Sequence, residues 1–180
     1  MYKHNLNNQY MMFKKLALSL VAALTLSFSA SAQKTVVDIA VGSADHTTLV
    51  AAVKAADLVT TLQSAGPFTV FAPVNAAFAK LPAGTVDYLL KAENKATLAK
   101  VLTYHVVAGK FVAADVVKAI NAAKGTLSLK TVSGGTLQAS LKDGKVILKD
   151  EKGGTSTVVV ADLVAGNGVV HVIDSVVLPN

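Results

Sequence analysis

The stretch GVVHVIDSVVLP, Gly168–Pro179, decides the fold of this chain together with an earlier stretch, TVFAPVNAAF, Thr69–Phe78. The later stretch is almost continuously apolar, which is typical of a strand covered on both faces. The earlier stretch begins as a run of β-forming residues and is stopped by Pro73, since proline cannot donate to a β-ladder. The pair Tyr104-His105 lies between the two stretches. These segments predict two buried strands in distant parts of the chain.

The first 32 residues predict a secretory signal peptide rather than part of the fold. Lys14 and Lys15 precede a short apolar run and the small-residue sequence SASA, which ends at Ala32. A basic patch, an apolar stretch and an Ala-x-Ala arrangement are typical of an export signal. We expect cleavage between Ala32 and Gln33. The apolar run is shorter than the ~20 residues that a membrane span needs, so we expect a secreted or periplasmic protein that does not span a membrane after cleavage.

The remaining residues, 33–180, are long enough for one domain with its own core. Three of the 17 Lys and Arg residues precede residue 33, so the net charge of +6 falls to +3. The chain has no Arg, which is the preferred side chain for phosphate and guanine recognition. The sequence therefore predicts no nucleic-acid partner. It also has no Cys and no local spacing of His that favours a metal, and we expect no cofactor.

The first half of this domain has mostly helical periodicity. Asp45 is placed to cap a long helix through Ser64, because a short polar side chain can accept a free N–H of the first turn. The run Phe68–Phe71 predicts a short buried strand. Further helices are predicted at Asn75–Leu81, Thr85–Lys91, Lys95–Thr103 and Ala113–Ala123.

After Gly125 the hydrophobic period changes from helical to two. Asp143-Gly144 and Asn167-Gly168 supply the tight turns that hairpins need. The second half therefore predicts an antiparallel meander. Its more continuously apolar runs, residues 157–161 and 169–178, are expected to be central strands covered on both faces. Helices followed by strands favour an α+β fold over a parallel βαβ repeat.

Taken together, the two stretches and the Tyr104-His105 pair resemble the fasciclin-like domain, and the resemblance covers nearly all of residues 35–179. It implies an α+β fold, a wedge of two β-sheets with flanking α-helices, and extracellular adhesion without catalysis. The family commonly has Thr or Ser where this chain has Val74. The helix that follows then depends on Asn75 or water for its cap. The structural motif positions implied by the resemblance are Thr69, Phe71, Pro73, Asn75, Phe78, His171, Asp174 and Pro179.

The resemblance also implies a candidate adhesion segment, Tyr104, His105, Val106 and Val107. His105 follows Val101 by four residues at the end of a predicted helix, so its side chain is expected to point inward. Apolar flanks favour burial, and we expect substitution here to impair folding before it impairs a contact surface. The partners implied are cell-surface or matrix proteins or polysaccharides.

Catalysis has weaker support in the residues. His171 and Asp174 are three apart in a predicted strand, so they point to opposite faces and are more simply read as buried hydrogen-bonding groups. His46 is expected to face solvent. The acidic residues Asp150 and Glu151 alternate with Lys, which indicates a solvated surface.

Two alternatives to a non-catalytic adhesion module stay open. The first is a small exported enzyme or ligand carrier that uses a pocket near His105, His171 or Asp174. The second is a structural matrix component that self-associates weakly through the exposed β-edges of the meander. Convergence of two or more of these three side chains on an open polar cleft would favour the first alternative, whereas their burial with saturated backbone hydrogen bonds would favour adhesion.

Overall fold

The computed structural model describes residues 33–180, so the predicted signal peptide and its cleavage site lie outside the described residues. Helices and strands alternate in the first half, and strands dominate the second. The helices are α1 Val36–Val41, α2 Thr47–Ala55, α3 Val59–Gln63, α4 Asn75–Ala79, α5 Thr85–Leu90, α6 Lys95–Tyr104 and α7 Ala113–Ala122, with short 3-10 turns at Ala44–His46 and Ala92–Asn94. The strands are β1 Phe68–Pro73, β2 Val106–Ala108, β3 Thr126–Lys130, β4 Thr136–Lys142, β5 Lys145–Lys149, β6 Thr155–Ala165 and β7 Gly168–Ile173.

The strands form one sheet in the order β2-β1-β7-β6-β5-β4-β3. Its two edges approach each other, because Val107 bridges Thr131 and the N–H of Val132 donates to the carbonyl of Val106 at 2.8 Å. The predicted wedge of two separate sheets is therefore wrong in detail. Strand β6 pairs with both β5 and β7, so the two expected sheets are joined into one nearly closed barrel. The α+β class is confirmed, and β3 to β7 form the predicted antiparallel meander.

Strands β1 and β7 lie side by side in parallel, from the pair Phe68 and Gly168 to the pair Pro73 and Ile173. This contact joins the two stretches that decide the fold. A side chain at position 168 would collide with the carbonyl oxygen of Phe68. Glycine is therefore required at this position for the two backbones to approach.

The core has two parts. We call the first the helix-side core, because it lies between α1 to α3, α6 and the strands β1, β2 and β7. Its members include Val37, Leu49, Val53, Leu62, Leu98, Leu102 and Val170. We call the second the barrel core, because it lies between the curved sheet, α6 and α7. Its members include Phe71, Tyr104, Ile120, Leu137, Leu148, Ile173 and Val177.

The long helix predicted from Asp45 to Ser64 is wrong, since the structure divides it into a 3-10 turn, α2 and α3. Asp57 adopts a left-handed conformation with φ of 54°. The N–H of Leu58 then bonds back to the carbonyl of Val53 at 3.1 Å, and that of Asp57 to Lys54. This pair of bonds is the Schellman arrangement that ends a helix. The other four predicted helices form, each within two residues of the expected bounds.

The two strands predicted to be covered on both faces have different outcomes. Every residue of β7 is buried, as expected. Strand β6 is not covered, because Val159 is 51% and Val164 59% exposed. Its register with β7 shifts twice, between Val158 and Val160 and again before Leu163. These irregularities change the direction of its side chains, so apolar composition alone overestimated its burial.

Candidate functional site

Tyr104, the last residue of α6, is fully buried in the barrel core. Its hydroxyl donates to the carbonyl of Thr136 at 2.7 Å and accepts from the N–H of Glu151 at 3.2 Å. Burial raises the pKa of Tyr104 to about 12, although the hydrogen bond from the Glu151 backbone acts in the opposite direction. The phenol is therefore neutral and joins α6 to the turn after β5.

His105 caps the end of α6 and is only 3% exposed. Its Nδ1 lies 2.8 Å from the carbonyl of Val101, and its Nε2 accepts from the N–H of Val177 at 3.3 Å. A carbonyl can only accept, so Nδ1 carries the proton. Burial lowers the pKa of His105 to about 4. The ring is neutral at physiological pH and connects α6 to the C-terminal segment. The prediction that the His105 side chain points inward is confirmed.

Val106 and Val107 begin β2 and are also buried. All four residues of the candidate adhesion segment therefore lie inside the free protein. They hold the two cores together and do not present side chains to a partner. Their influence on adhesion stays a prediction, which would act through the fold that they support.

The motif positions of the first stretch also have structural partners. The hydroxyl of Thr69 donates to the carbonyl of Gly109 at 2.7 Å and accepts from the N–H of Phe111 at 2.9 Å. Phe71 stacks on the ring of His171, with ring centroids 5.7 Å apart. Pro73 is fully buried at the end of β1. These contacts fix the loop between β2 and α7 against the sheet.

Asn75 does not cap its own helix, because α4 has Val74 at its N-cap and lacks a side-chain cap. Instead its side-chain oxygen accepts from the N–H of Thr48 at 3.0 Å, and its amide donates to the carbonyl of Ala44. Asn75 therefore caps α2, which corrects the expected role of Asp45. Phe78, on the same helix, packs half-buried against the helix-side core.

His171 and Asp174 do not form a pair. The Nε2 of His171 donates to the carbonyl of Phe111 at 2.7 Å, and its Nδ1 accepts from the N–H of Asp162. Asp174 instead accepts from the N–H of Thr157 at 2.8 Å. Burial alone would raise the pKa of Asp174, but the hydrogen bond from Thr157, aided by nearby hydroxyls and Lys80, holds it below its usual value.

Two polar residues have different surroundings from those expected. His46 is buried, its Nδ1 lies 2.8 Å from the hydroxyl of Ser43, and burial lowers its pKa. Asp150 is also buried and accepts from the N–H groups of Gly154 at 2.7 Å and Leu178 at 2.9 Å. The sequence did contain a signal for the role of Asp150, namely the Asp-x-x-Gly-Gly spacing of that turn. An Asp side chain often bonds to nearby backbone N–H groups in turns.

The C-terminal segment is thus held by several groups from distant elements. Asp150 and His105 bind the N–H groups of Leu178 and Val177, and the hydroxyl of Ser156 donates to the carbonyl of Ser175 at 2.9 Å. Pro179, the last motif position, is buried beside them. Within residues 33–180, no three His, Asp or Glu side chains are grouped so that they could hold a metal ion.

His105 also lines an apolar cavity of about 240 Å³ between α1 to α3 and the strands β1 and β2. His171 lines a much smaller space of about 20 Å³ next to Phe71. The histidines therefore face different parts of the molecule. Over residues 33–180, no helix is long and apolar enough to cross a membrane.

The chain matches the fasciclin domain over residues 44–179, and it belongs to that family. Protein sll1483 of Synechocystis sp. is 52% identical over 145 residues, which cover 81% of this chain and 73% of that protein. The transforming growth factor-beta-induced protein ig-h3 of Sus scrofa is 37% identical over 145 residues, 81% of this chain but 19% of that protein.

A solved structure of a FAS1 domain pair from the insect cell adhesion molecule Fasciclin I has the same fold, with a TM-score of 0.70 and 20% identity. The match covers 81% of this chain and 51% of that one. The chain therefore spans about half of the solved domain pair and one fifth of the ig-h3 protein.

Proposed function

We propose that the protein is an exported adhesion module that attaches reversibly to cell-surface or matrix proteins or polysaccharides and does not act as an enzyme. One observation carries the non-catalytic part of the proposal. His105, His171 and Asp174 are each engaged with backbone groups of different elements, so they do not converge on a cleft. Membership in the fasciclin family and the fold shared with an insect cell adhesion molecule support the adhesive part.

The exposed valines of β6 are our candidate contact surface. Val159, Val160 and Val164 are each about half exposed or more. Exposed apolar side chains grouped on one strand favour contact with a partner more than scattered ones do. A small patch gives weak binding, which becomes effective when several copies act on one surface. The buried segment Tyr104–Val107 would support this surface from within.

A sedimentation assay tests the proposal. The purified protein is mixed with fractionated cell envelope, exopolysaccharide and matrix protein, and an unrelated secreted domain serves as the control. We expect saturable retention by one fraction and a loss of retention in the double variant Val159→Ser/Val164→Ser. Val132→Ser is the matched control, because Val132 is also an exposed valine but lies outside β6.

Two results would contradict the proposal. The first is the absence of retention by every fraction under conditions in which the protein is folded. The second is equal loss of retention in the β6 variant and in Val132→Ser, which would remove β6 as the contact surface.

The two alternative functions differ in their support. The enzyme alternative would need reactive side chains in a polar cleft. The carrier alternative has a specific observation in its favour, the apolar cavity beside His105.

A further inference from the structure

The apolar cavity between α1, α2, α3 and the strands below them opens to the surface, where the exposed Val41 and Lys54 line it. Its volume is about 240 Å³. For comparison, an engineered apolar cavity of ~150 Å³ holds benzene. Its walls include Val37, Ala40, Val53, Val59 and Val70. The space is therefore large enough for an apolar group, and its apolar walls offer few hydrogen-bonding partners to water.

The mouth of this cavity carries several polar side chains. A shallower recess lined by Ser43 and Thr47 adjoins it, and the two spaces share Val41, Val50 and Lys54. Within residues 33–180, the ion pairs found join Lys80 to Asp174, Lys91 to Glu93 and Lys95 to Asp57. The exposed Lys54 ammonium belongs to none of them.

Among residues 33–180, the one carboxylate that lines the cavity is already engaged. Asp38 accepts from both the N–H and the hydroxyl of Thr35, each at 2.8 Å, in the capping box that begins α1. These hydrogen bonds lower the pKa of Asp38 and leave its charge directed at the start of the helix. The cation at the mouth is therefore better placed to receive a ligand charge than the anion is.

We propose that this cavity binds a monocarboxylate with an unbranched apolar chain, a fatty acid of medium length, with the chain inside and the carboxylate at Lys54. Apolar burial supplies the affinity, and a charge-assisted hydrogen bond to the ammonium selects the headgroup. The site is independent of the adhesive surface on β6. It makes the protein a carrier of, or a module regulated by, an anionic amphiphile.

Isothermal titration calorimetry of the purified protein tests the ligand class. The probes are octanoate, decanoate and dodecanoate, with decanol and decyltrimethylammonium as headgroup controls. We expect affinity to rise about fourfold for each added methylene until the cavity is filled. Decyltrimethylammonium should bind more weakly than decanoate. Equal or tighter binding of the cation, or no binding of any carboxylate, would overturn the proposal.

Variants test the location. Lys54→Gln should weaken decanoate binding about tenfold and leave decanol unchanged. Lys118→Gln is the matched control, because Lys118 is also an exposed helical lysine but lies on α7. Ala40→Phe should fill the cavity and abolish binding of both probes.

Thermal unfolding of each variant verifies that it is folded. If Ala40→Phe does not fold, the lysine pair still decides the outcome, since both positions are exposed. Equal effects of Lys54→Gln and Lys118→Gln on decanoate would overturn the assignment of the headgroup site.

Discussion

The helix-side core and the barrel core contain similar apolar residues but are packed to different degrees. In the barrel core Tyr104, Ile120, Leu137 and Leu148 are each 0% exposed. In the helix-side core, members such as Leu62 remain 8% exposed, and the cavity lies among them. Backbone hydrogen bonds hold neighbouring strands at a fixed spacing, whereas short helices are positioned mainly by their side chains. The barrel core is therefore the more completely filled of the two, and the helical side retains space for a ligand.

The largest expected effect comes from truncating a leucine in each core. Leu148→Ala removes a fully buried side chain from the barrel, and we expect it to cost about 4 kcal/mol of unfolding free energy. Leu62→Ala, at the cavity wall, should cost about 2 kcal/mol, because the space around it is already incompletely filled. Urea unfolding measures both. Equal losses would contradict the difference in packing between the two cores.

Acid should weaken the link between the two cores. The pKa of His105 is about 4 in the folded protein and 6.5 ordinarily, so the unfolded chain binds a proton first as pH falls. Stability is fully present above pH 6.5 and is lost as pH falls towards 4, by on the order of 2–3 kcal/mol between pH 7 and pH 4.5. His46 contributes in the same direction.

Urea unfolding at several pH values measures this dependence. The same series on His105→Gln should show a smaller loss between pH 7 and pH 4.5, whatever the stability of the variant at pH 7. An unchanged pH slope in that variant would mean that other groups, not His105, are responsible.

Tyr104→Phe should have a smaller effect. The substitution keeps the ring in the barrel core but removes the hydroxyl that joins Thr136 to Glu151. We expect a loss of about 1–2 kcal/mol, since both backbone groups lose a partner. Thermal or urea unfolding measures it, and Tyr88→Phe is the matched control because Tyr88 is 55% exposed. A change no larger than that of the control would indicate that water replaces the hydroxyl.

The smallest expected effect is on the helical side. Asn75→Ala removes the cap that α4 supplies to α2, and loss of an N-cap costs about 1 kcal/mol. Asn121→Ala, on the exposed side of α7, is the control, since alanine there should be neutral or slightly stabilising. Urea unfolding distinguishes the two. A neutral result at Asn75 would mean that the bond to Thr48 contributes no net stability.

Much of this arrangement could be predicted from local sequence. The period-two pattern with its Asp-Gly and Asn-Gly turns predicted the meander, because strand alternation and turn conformation depend on neighbouring residues. Four helices and the inward direction of His105 followed from helical periodicity for the same reason. The two stretches Thr69–Phe78 and Gly168–Pro179 and the Tyr104-His105 pair also predicted the family, which the match over residues 44–179 confirms.

Other features were decided only by the tertiary structure. Three of these features depend on partners far away in the chain: the cap that Asn75 gives to α2, the hydrogen bond from Leu178 to Asp150, and the pairing of β6 with both β5 and β7. The cavity beside Lys54 depends on how three short helices pack over a sheet. The sequence by itself determined most of the elements and the family, because those follow from local patterns. The tertiary structure decided which polar groups are buried and where space remains, because both depend on long-range packing.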